Sequence, residues 1–340
     1  MQAFVNKLWY PSKDAHPVFR LLKYLLLPLA LLFLLMSSIR RWLFKMGLKQ
    51  SHDLPVPVII VGNITVGGSG KTPTVIYLID LLRKNGFKPG VISRGYGVKF
   101  EGVKRVEPQM LASEVGDEPA MIVARTSVPM VIGTDRVKAA EKLLADTDVN
   151  VIISDDGLQH YRLRRDIELL ILDGERRLGN GMLLPSGPLR EGSWRAQSVD
   201  FILVNGQALR NEFKMELQPQ GIFPVSPSSK HIFEKTPVVA IAGIGNPQRF
   251  FKTLAEQGHT VLKTHGFDDH QKFTLDALIQ VAGEHPILMT EKDAVKCRDF
   301  AKDNWWYLAV DAKLPTRFES DIMDKIHGSM KKKQGKSDGV

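Results

Sequence analysis

The chain has 340 residues, with 46 Lys and Arg against 37 Asp and Glu and a formal net charge of +9. Hydrophobic residues make up 44% and charged residues 24%. That balance belongs to a globular protein of one or two domains and excludes a disordered, collagen-like or polytopic membrane chain. The single cysteine, Cys297, excludes an internal disulfide and a cysteine-based zinc cluster, and fits a reducing compartment. The positive charge points to an anionic partner: nucleic acid, acidic lipid or a phosphorylated small molecule.

Residues 24–36 read YLLLPLALLFLLM, without a charge. A helix over them is about 20 Å long, against about 30 Å for a bilayer core. Lys7, Lys13, Arg20 and Lys23 precede the run, and Arg40, Arg41, Lys45 and Lys49 follow it; Trp9, Tyr10 and Trp42 mark its margins. A secretory signal would need a small-x-small cleavage site, and SSIRR is a poor one. Two readings stay in play: a buried core helix, and the favoured one, a helix lying in the membrane interface.

After Gln50 short apolar runs, read as buried parallel strands, cover residues 56–61, 89–93, 128–133, 149–154, 167–173 and 201–205. Helical patterns lie between them at 72–84 and 135–145. This alternation predicts a parallel sheet covered by helices. Residues 218–237 are rich in Pro and Ser and read as a connector. A second set follows: strands at 238–241, 260–263, 286–289 and 306–310, with helices at 247–256 and 275–282. It forms either a smaller α/β domain or a continuation of the first sheet. The basic tail, 329–340, reads as a solvated, disordered end.

Residues 62–72, GNITVGGSGKT, fall between a predicted strand and a predicted helix. Gly67, Gly68 and Gly70 allow a sharp turn that aims backbone N–H groups at phosphate oxygens. Lys71 can reach the β- and γ-phosphates and the Thr72 hydroxyl can bind Mg²⁺. The strict pattern places glycine where this chain has Thr65, so the loop is a variant. The expected fold is α/β: a P-loop NTPase-like parallel sheet flanked by helices at 51–217, a connector at 218–237, a smaller C-terminal α/β lobe at 238–328, and an N-terminal membrane-associated segment at 1–50.

Such a loop needs a carboxylate at a neighbouring strand end to hold the Mg²⁺ shell. The run VIISDD ends in Asp155 and Asp156, and Gln159 and His160 follow; Asp155 is the natural choice. A second pair, Asp117 and Glu118, lies in VGDEP, in a loop or at a helix start. Either pair could supply a base beside an acceptor hydroxyl, and residue chemistry alone does not choose. Arg94, Arg136 and Arg190 are candidates for clamping phosphate. His265 and His270 flank GFDD.

Taken together, GNITVGGSGKTP, SRGYG, VGDEP, GTDR, SDDGLQH, LPSGPLRE, the FDDH segment and LMTEKDAVK resemble the tetraacyldisaccharide 4′-kinase family of lipid A biosynthesis, from residue 62 to about 296. Thr65 in the loop is that family's own pattern. The resemblance implies an enzyme at the cytoplasmic face of the bacterial inner membrane, peripheral or anchored by its N-terminal helix. It implies MgATP-dependent phosphorylation of the 4′-hydroxyl of an acylated disaccharide 1-phosphate. It assigns Thr65, Gly67, Gly68, Ser69, Gly70, Lys71 and Thr72 to ATP phosphates. Asp117 becomes the base, assisted by His270 with His265 in reserve. Glu118, Asp155, Asp156 and Thr72 surround the metal. Arg94, Tyr96, Arg136, Gln159 and His160 lie around substrate and phosphate, and Arg190 with Lys71 stabilises the transferring group. An anionic membrane surface is the expected partner; neither nucleic acid nor an obligatory protein partner is expected. A GTPase would want an [NT]-K-x-D motif, and TEKD at 290–293 has that composition in the wrong order. A nucleic-acid-dependent ATPase would use the charge of +9, but the early basic clusters flank an apolar helix and suit acidic lipid better.

Overall fold

The structure is a computed structural model describing residues 2–11 and 16–337; Lys13 and the last three residues of the basic tail lie outside the described residues. Three helices come first: α1 (Gln2–Trp9), α2 (Pro17–Leu25) and α3 (Leu27–Lys45). The apolar run expected as one helix is divided at Leu26, with a proline in the first turn of α3. Of the residues of α3 only Ala30 is buried, while Leu31, Leu32, Leu35, Met36, Ile39 and Trp42 are exposed. The core-helix reading therefore fails. At 19 residues α3 is about 28 Å long and is apolar enough to cross a membrane by length and composition.

The first half of the sheet is built from β1 (Val58–Gly62), α4 (Lys71–Lys84), β2 (Pro89–Ser93), β3 (Val103–Val106), α5 (Ala112–Val115), α6 (Asp117–Thr126), β4 (Met130–Gly133), α7 (Arg136–Asp146), β5 (Val151–Asp155), β6 (Ile167–Asp173) and β7 (Phe201–Asn205). The second half contains β8 (Phe213–Pro224), β9 (Val238–Ala242), α8 (Pro247–Glu256), β10 (Val261–Gly266), α9 (Leu275–Ala282), β11 (Ile287–Thr290), α10 (Glu291–Ala294), β12 (Trp305–Lys313) and α11 (Thr316–Ser337). The twelve strands among the described residues join in one sheet, ordered β10-β9-β11-β12-β8-β7-β6-β1-β5-β2-β4-β3.

The second alternating set thus continues the first sheet, and β8 is the reason. Its first residues pair parallel with β7, at Phe213–Leu203 and Met215–Asn205, and the rest pair antiparallel with β12 from Glu216 to Pro224. Residues 218–224, expected as connector, are strand; irregular chain follows from 225. Side chains alternate across the central strands: Ile59 and Val61 face α4, α6 and α11, and Val58 and Ile60 face α7. The basic tail is likewise not disordered through Ser337. Phe318, Ile322 and Ile326, spaced i, i+4, i+8, are fully buried against the core, and Lys333 donates to the Asp53 carboxylate and to the Leu54 carbonyl at 2.9 Å.

Candidate active site

The central strands β1 and β5 end side by side in parallel, with Val61 opposite Asp155. The turn leaving β1 runs directly into α4. Gly67 and Gly70 have φ of 111° and 103°, a region closed to most side chains. Asn63 braces the loop, its Nδ2 donating to the Gly67 carbonyl at 3.1 Å and to Ser69 Oγ at 3.4 Å. Thr74 ties the helix start down by donating to the Gly70 carbonyl at 2.8 Å. Gly67, Gly68 and Lys71 line a cavity of about 1000 Å³, and Ser69, Gly70 and Thr72 line a smaller one of about 260 Å³ beside it. Thr65 lies away from both: it is buried in an antiparallel bridge with Leu189, which ties the loop to the Arg190 segment.

Asp155 closes β5 and Asp156 follows with φ of 49°. Lys71 Nζ lies 3.7 Å from Asp156 Oδ1, and Arg190 Nη1 donates to both Asp156 oxygens at 2.9 and 3.1 Å. Burial opposes Asp156 ionising, yet Lys71 and Arg190 lower its pKa. Asp155 is the opposite case. Burial, then Glu118 and Asp156, push its carboxyl up to about 7. Its Oδ2 accepts from Ser93 Oγ at 3.2 Å, and its buried Oδ1 has no hydrogen-bond partner among the described residues. A buried carboxylate oxygen crowded by other carboxylates fits a divalent cation. No three carboxylate, histidine or cysteine groups converge into a metal cage among the described residues, but Mg²⁺ bound with a nucleotide needs only one or two protein carboxylates.

Asp117 and Glu118 open α6 on the facing wall of the large cavity. His270, at φ of 61°, turns its Nδ1 to 3.1 Å from Asp117 Oδ2. Its Nε2 lies 3.2 Å from Lys292 Nζ. Lys292 also donates to Glu118 Oε1 at 3.1 Å and Asp269 Oδ1 at 3.3 Å; despite burial, Glu118 and Asp269 raise its pKa, so it remains an ammonium. An ammonium has no acceptor. The Nε2 of His270 therefore accepts, and Nδ1 carries the hydrogen given to Asp117. Glu118 is driven down to about 2: burial resists, and Lys292 followed by Lys71 outweighs it. Lys296 completes the surround, 3.7 Å from Asp117 Oδ2.

Of the other expected positions, Arg94, Tyr96 and Gln159 line the large cavity. The Tyr96 ring stands 4.8 Å from that of His270, and Gln159 donates to Glu191 Oε2 at 3.0 Å and to the Asn63 carbonyl at 3.2 Å. Arg136 and His160 line neither cavity. Arg136 is buried beneath β5, donating to the Gly133 carbonyl at 2.8 Å, and burial pulls its pKa down to about 10. His265 lies on β10 against the Phe267 ring at 4.6 Å, apart from the acidic cluster. Sequence reasoning missed Lys292, Lys296, Asp269, Glu191 and Arg176. The signal for Lys292 was the TEKD segment, which has the composition of a guanine motif in the wrong order and also lies in the family-like stretch LMTEKDAVK. Its members are otherwise engaged: Thr290 Oγ1 donates to Asp293 Oδ2 at 2.6 Å, Asp293 accepts from the Gly243 N–H at 2.9 Å, and Lys292 joins the acidic cluster.

The large cavity is also lined by Phe33, Met36, Ser37 and Arg40 of α3, so it joins apolar side chains of the N-terminal helix to the polar groups around Lys71 and Asp117. The family model described as LpxK, Tetraacyldisaccharide-1-P 4'-kinase, matches residues 22–327. The chain is 64% identical to the tetraacyldisaccharide 4'-kinase of Shewanella woodyi over the full length of both, and 62% identical to that of Shewanella halifaxensis, covering 96% of this chain and 98% of the relative. A crystal structure of LpxK from Aquifex aeolicus in complex with ATP superposes with a TM-score of 0.76 at 30% identity, covering 90% of this chain and 99% of that one. Loop, acidic walls and family match agree along the whole chain: it belongs to the tetraacyldisaccharide 4′-kinase family.

Proposed function

We infer that this chain transfers the γ-phosphoryl group of ATP to the 4′-hydroxyl of an acylated glucosamine disaccharide 1-phosphate in lipid A biosynthesis. The observation that carries this reading is one cavity lined by Gly67, Gly68 and Lys71, by the Asp117–His270 pair and by Phe33 and Met36 of α3. A donor-phosphate cradle and a base thus face one space large enough for a sugar headgroup.

The backbone N–H groups of residues 67–72 and the start of α4 hold the phosphates of ATP. Asp155 and the Thr72 hydroxyl, with Asp156 and Glu118 nearby, would hold Mg²⁺, which supplies charge neutralisation on the phosphates when bound. Asp117 takes the proton of the attacking sugar hydroxyl, the new O–P bond forms, and the bond to the ADP oxygen breaks. His270 Nδ1–H holds Asp117 in line, and Lys292 holds His270 in that tautomer. Lys71 and Arg190 stabilise charge on the transferring group. Arg94, Tyr96 and Gln159 orient the disaccharide. Arg136 acts from below, fixing the end of β5.

The acylated substrate enters from a membrane. Exposed apolar side chains on α3 support insertion there, at the cytoplasmic face where ATP is present, and basic residues at both ends suit anionic lipid. The test is incubation with γ-³²P-labelled ATP, Mg²⁺ and acylated disaccharide 1-phosphate, followed by lipid extraction. Label should move to the organic phase; label confined to water contradicts the reading.

A further inference from the structure

Arg176, just beyond β6, lines the large cavity beside the phosphate loop. Among the described residues none of its nitrogens is within ion-pair distance of a carboxylate. Its backbone N–H is fixed by Asp173 Oδ1 at 3.0 Å, and its guanidinium joins three segments remote in sequence. Nη1 donates to the Gly245 carbonyl, in the second half of the chain, at 2.5 Å. The guanidinium carbon lies 5.1 Å from the centre of the Tyr10 ring, in the N-terminal segment. A methyl group added at Gly67 would lie 4.0 Å from Nη1, so the guanidinium flanks the loop itself.

The neighbours of Arg176 also touch that loop. Tyr10 OH donates to the Val66 carbonyl at 3.4 Å. Gly245 packs its backbone on Gly68 so closely that a side chain at 245 would collide with the Gly68 nitrogen. The N-terminal segment is fastened to the same region: Trp9 Nε1 donates to the Pro185 carbonyl at 3.0 Å, and the Asn180 N–H donates to the Trp9 carbonyl at 2.8 Å.

We propose that Arg176 is a positioning residue through which the seated N-terminal segment tightens the phosphate loop on ATP. The Tyr10 ring holds the guanidinium by a cation–π contact, the guanidinium holds the Gly245 carbonyl, and Gly245 closes on Gly68. The proposal rests on the reading of residues 62–72 as the ATP-phosphate loop. It assigns Arg176 to ATP affinity and leaves proton transfer to the Asp117 cluster.

The test uses the full chain in detergent micelles, with ATP and acylated acceptor varied separately. Arg176→Met, which loses a charged hydrogen bond, should raise the KM for ATP about tenfold, with kcat and acceptor KM changed less than about twofold. Tyr10→Ala should shift the same constant by a smaller factor, Tyr10→Phe should restore most of it, and the double variant should be no worse than Arg176→Met, since the two residues act in series. Arg176→Lys, which keeps the cation and stem, should shift it in the same direction by less and serves if Arg176→Met does not fold. A KM for ATP within twofold of the wild type in both Arg176 variants, or additive effects in the double variant, overturns the proposal. Lys71→Ala separates the failures: transfer abolished there with silent Arg176 variants removes only the role of Arg176, whereas unchanged kinetics in Lys71→Ala removes the loop reading as well.

Discussion

His270 Nδ1 stands 3.1 Å from Asp117 Oδ2, although 153 residues separate the two in the chain. With Lys292 on the other ring nitrogen, this pair lines the same cavity as Lys71. Asp117→Asn should lower kcat by about 10²–10⁴-fold with little change in ATP affinity. His270→Gln should lower kcat by less, because Asp117 survives as base. Steady-state rates with nucleotide binding measured separately check both. A loss of ATP affinity without a loss of kcat in Asp117→Asn would move the base elsewhere.

In the proposed reaction Asp155 serves the metal and Lys71 the phosphates. Asp155→Asn should raise the Mg²⁺ concentration needed for half-maximal velocity, since the buried Oδ1 without a partner is the natural metal oxygen. Lys71→Ala should reduce kcat strongly and leave the fold intact, because the turn depends on its glycines. Mg²⁺ titrations and thermal melts of the two variants test this; an unchanged Mg²⁺ requirement in Asp155→Asn contradicts the metal assignment.

Gly245 offers a steric prediction. Gly245→Ala puts a methyl group against the Gly68 backbone nitrogen, and backbone cannot yield as a side chain tip does. The second half of the sheet should shift away from the phosphate loop, weakening ATP binding several-fold while the melting temperature changes little. Fluorescent-nucleotide titration measures it, and wild-type affinity in the variant would show that the contact is not needed.

The exposed face of α3 gives a membrane prediction. Leu31→Glu with Leu35→Glu replaces two exposed side chains and should spare the fold and ATP binding in detergent. Co-sedimentation with anionic vesicles should drop, and activity on membrane-embedded acceptor should fall more than on dispersed acceptor. In the wild type the basic flanks should make part of the binding salt-sensitive, screened over roughly 8 Å at physiological ionic strength, and the apolar face should keep part of it resistant. Undiminished sedimentation of the double variant would place the membrane contact elsewhere.

His160 supplies a pH prediction. Burial first, and then Arg136, pull its pKa down to about 4, from an ordinary value of about 6.5. The unfolded chain therefore takes up a proton as pH falls below about 6.5, and the folded chain does not until about 4. The associated stability is fully present above pH 6.5 and is lost progressively between there and pH 4. His160→Gln should lose less of its melting temperature across that window than the wild type; equal losses would contradict the shift.

Much of this arrangement was legible from local pattern. The phosphate loop announced itself by glycines between an apolar run and a helical one, and α8 and α9 have the bounds their periodicity predicts. β8 was hidden because Pro219, Gly221 and Pro224 interrupt its alternation, and only pairing with β12 makes a strand of it. The last helix was hidden because its lysines read as solvated while its anchors, Phe318, Ile322 and Ile326, lie upstream. Local chemistry could not choose between the two acidic pairs; the family resemblance named Asp117 and His270, and their 3.1 Å approach is a tertiary fact. Lys292 and Arg176 make their contacts across the chain, which no local spacing encodes.

In the proposed reaction a hydroxyl held by Asp117, and not the acceptor's existing phosphate, receives the phosphoryl group. ³¹P NMR of the lipid extracted after complete reaction tests it most directly. Two uncoupled phosphate monoester signals are expected, one from the original 1-phosphate and one new at the 4′ position. A pair of mutually coupled diphosphate signals, or a product with one phosphorus only, would contradict it.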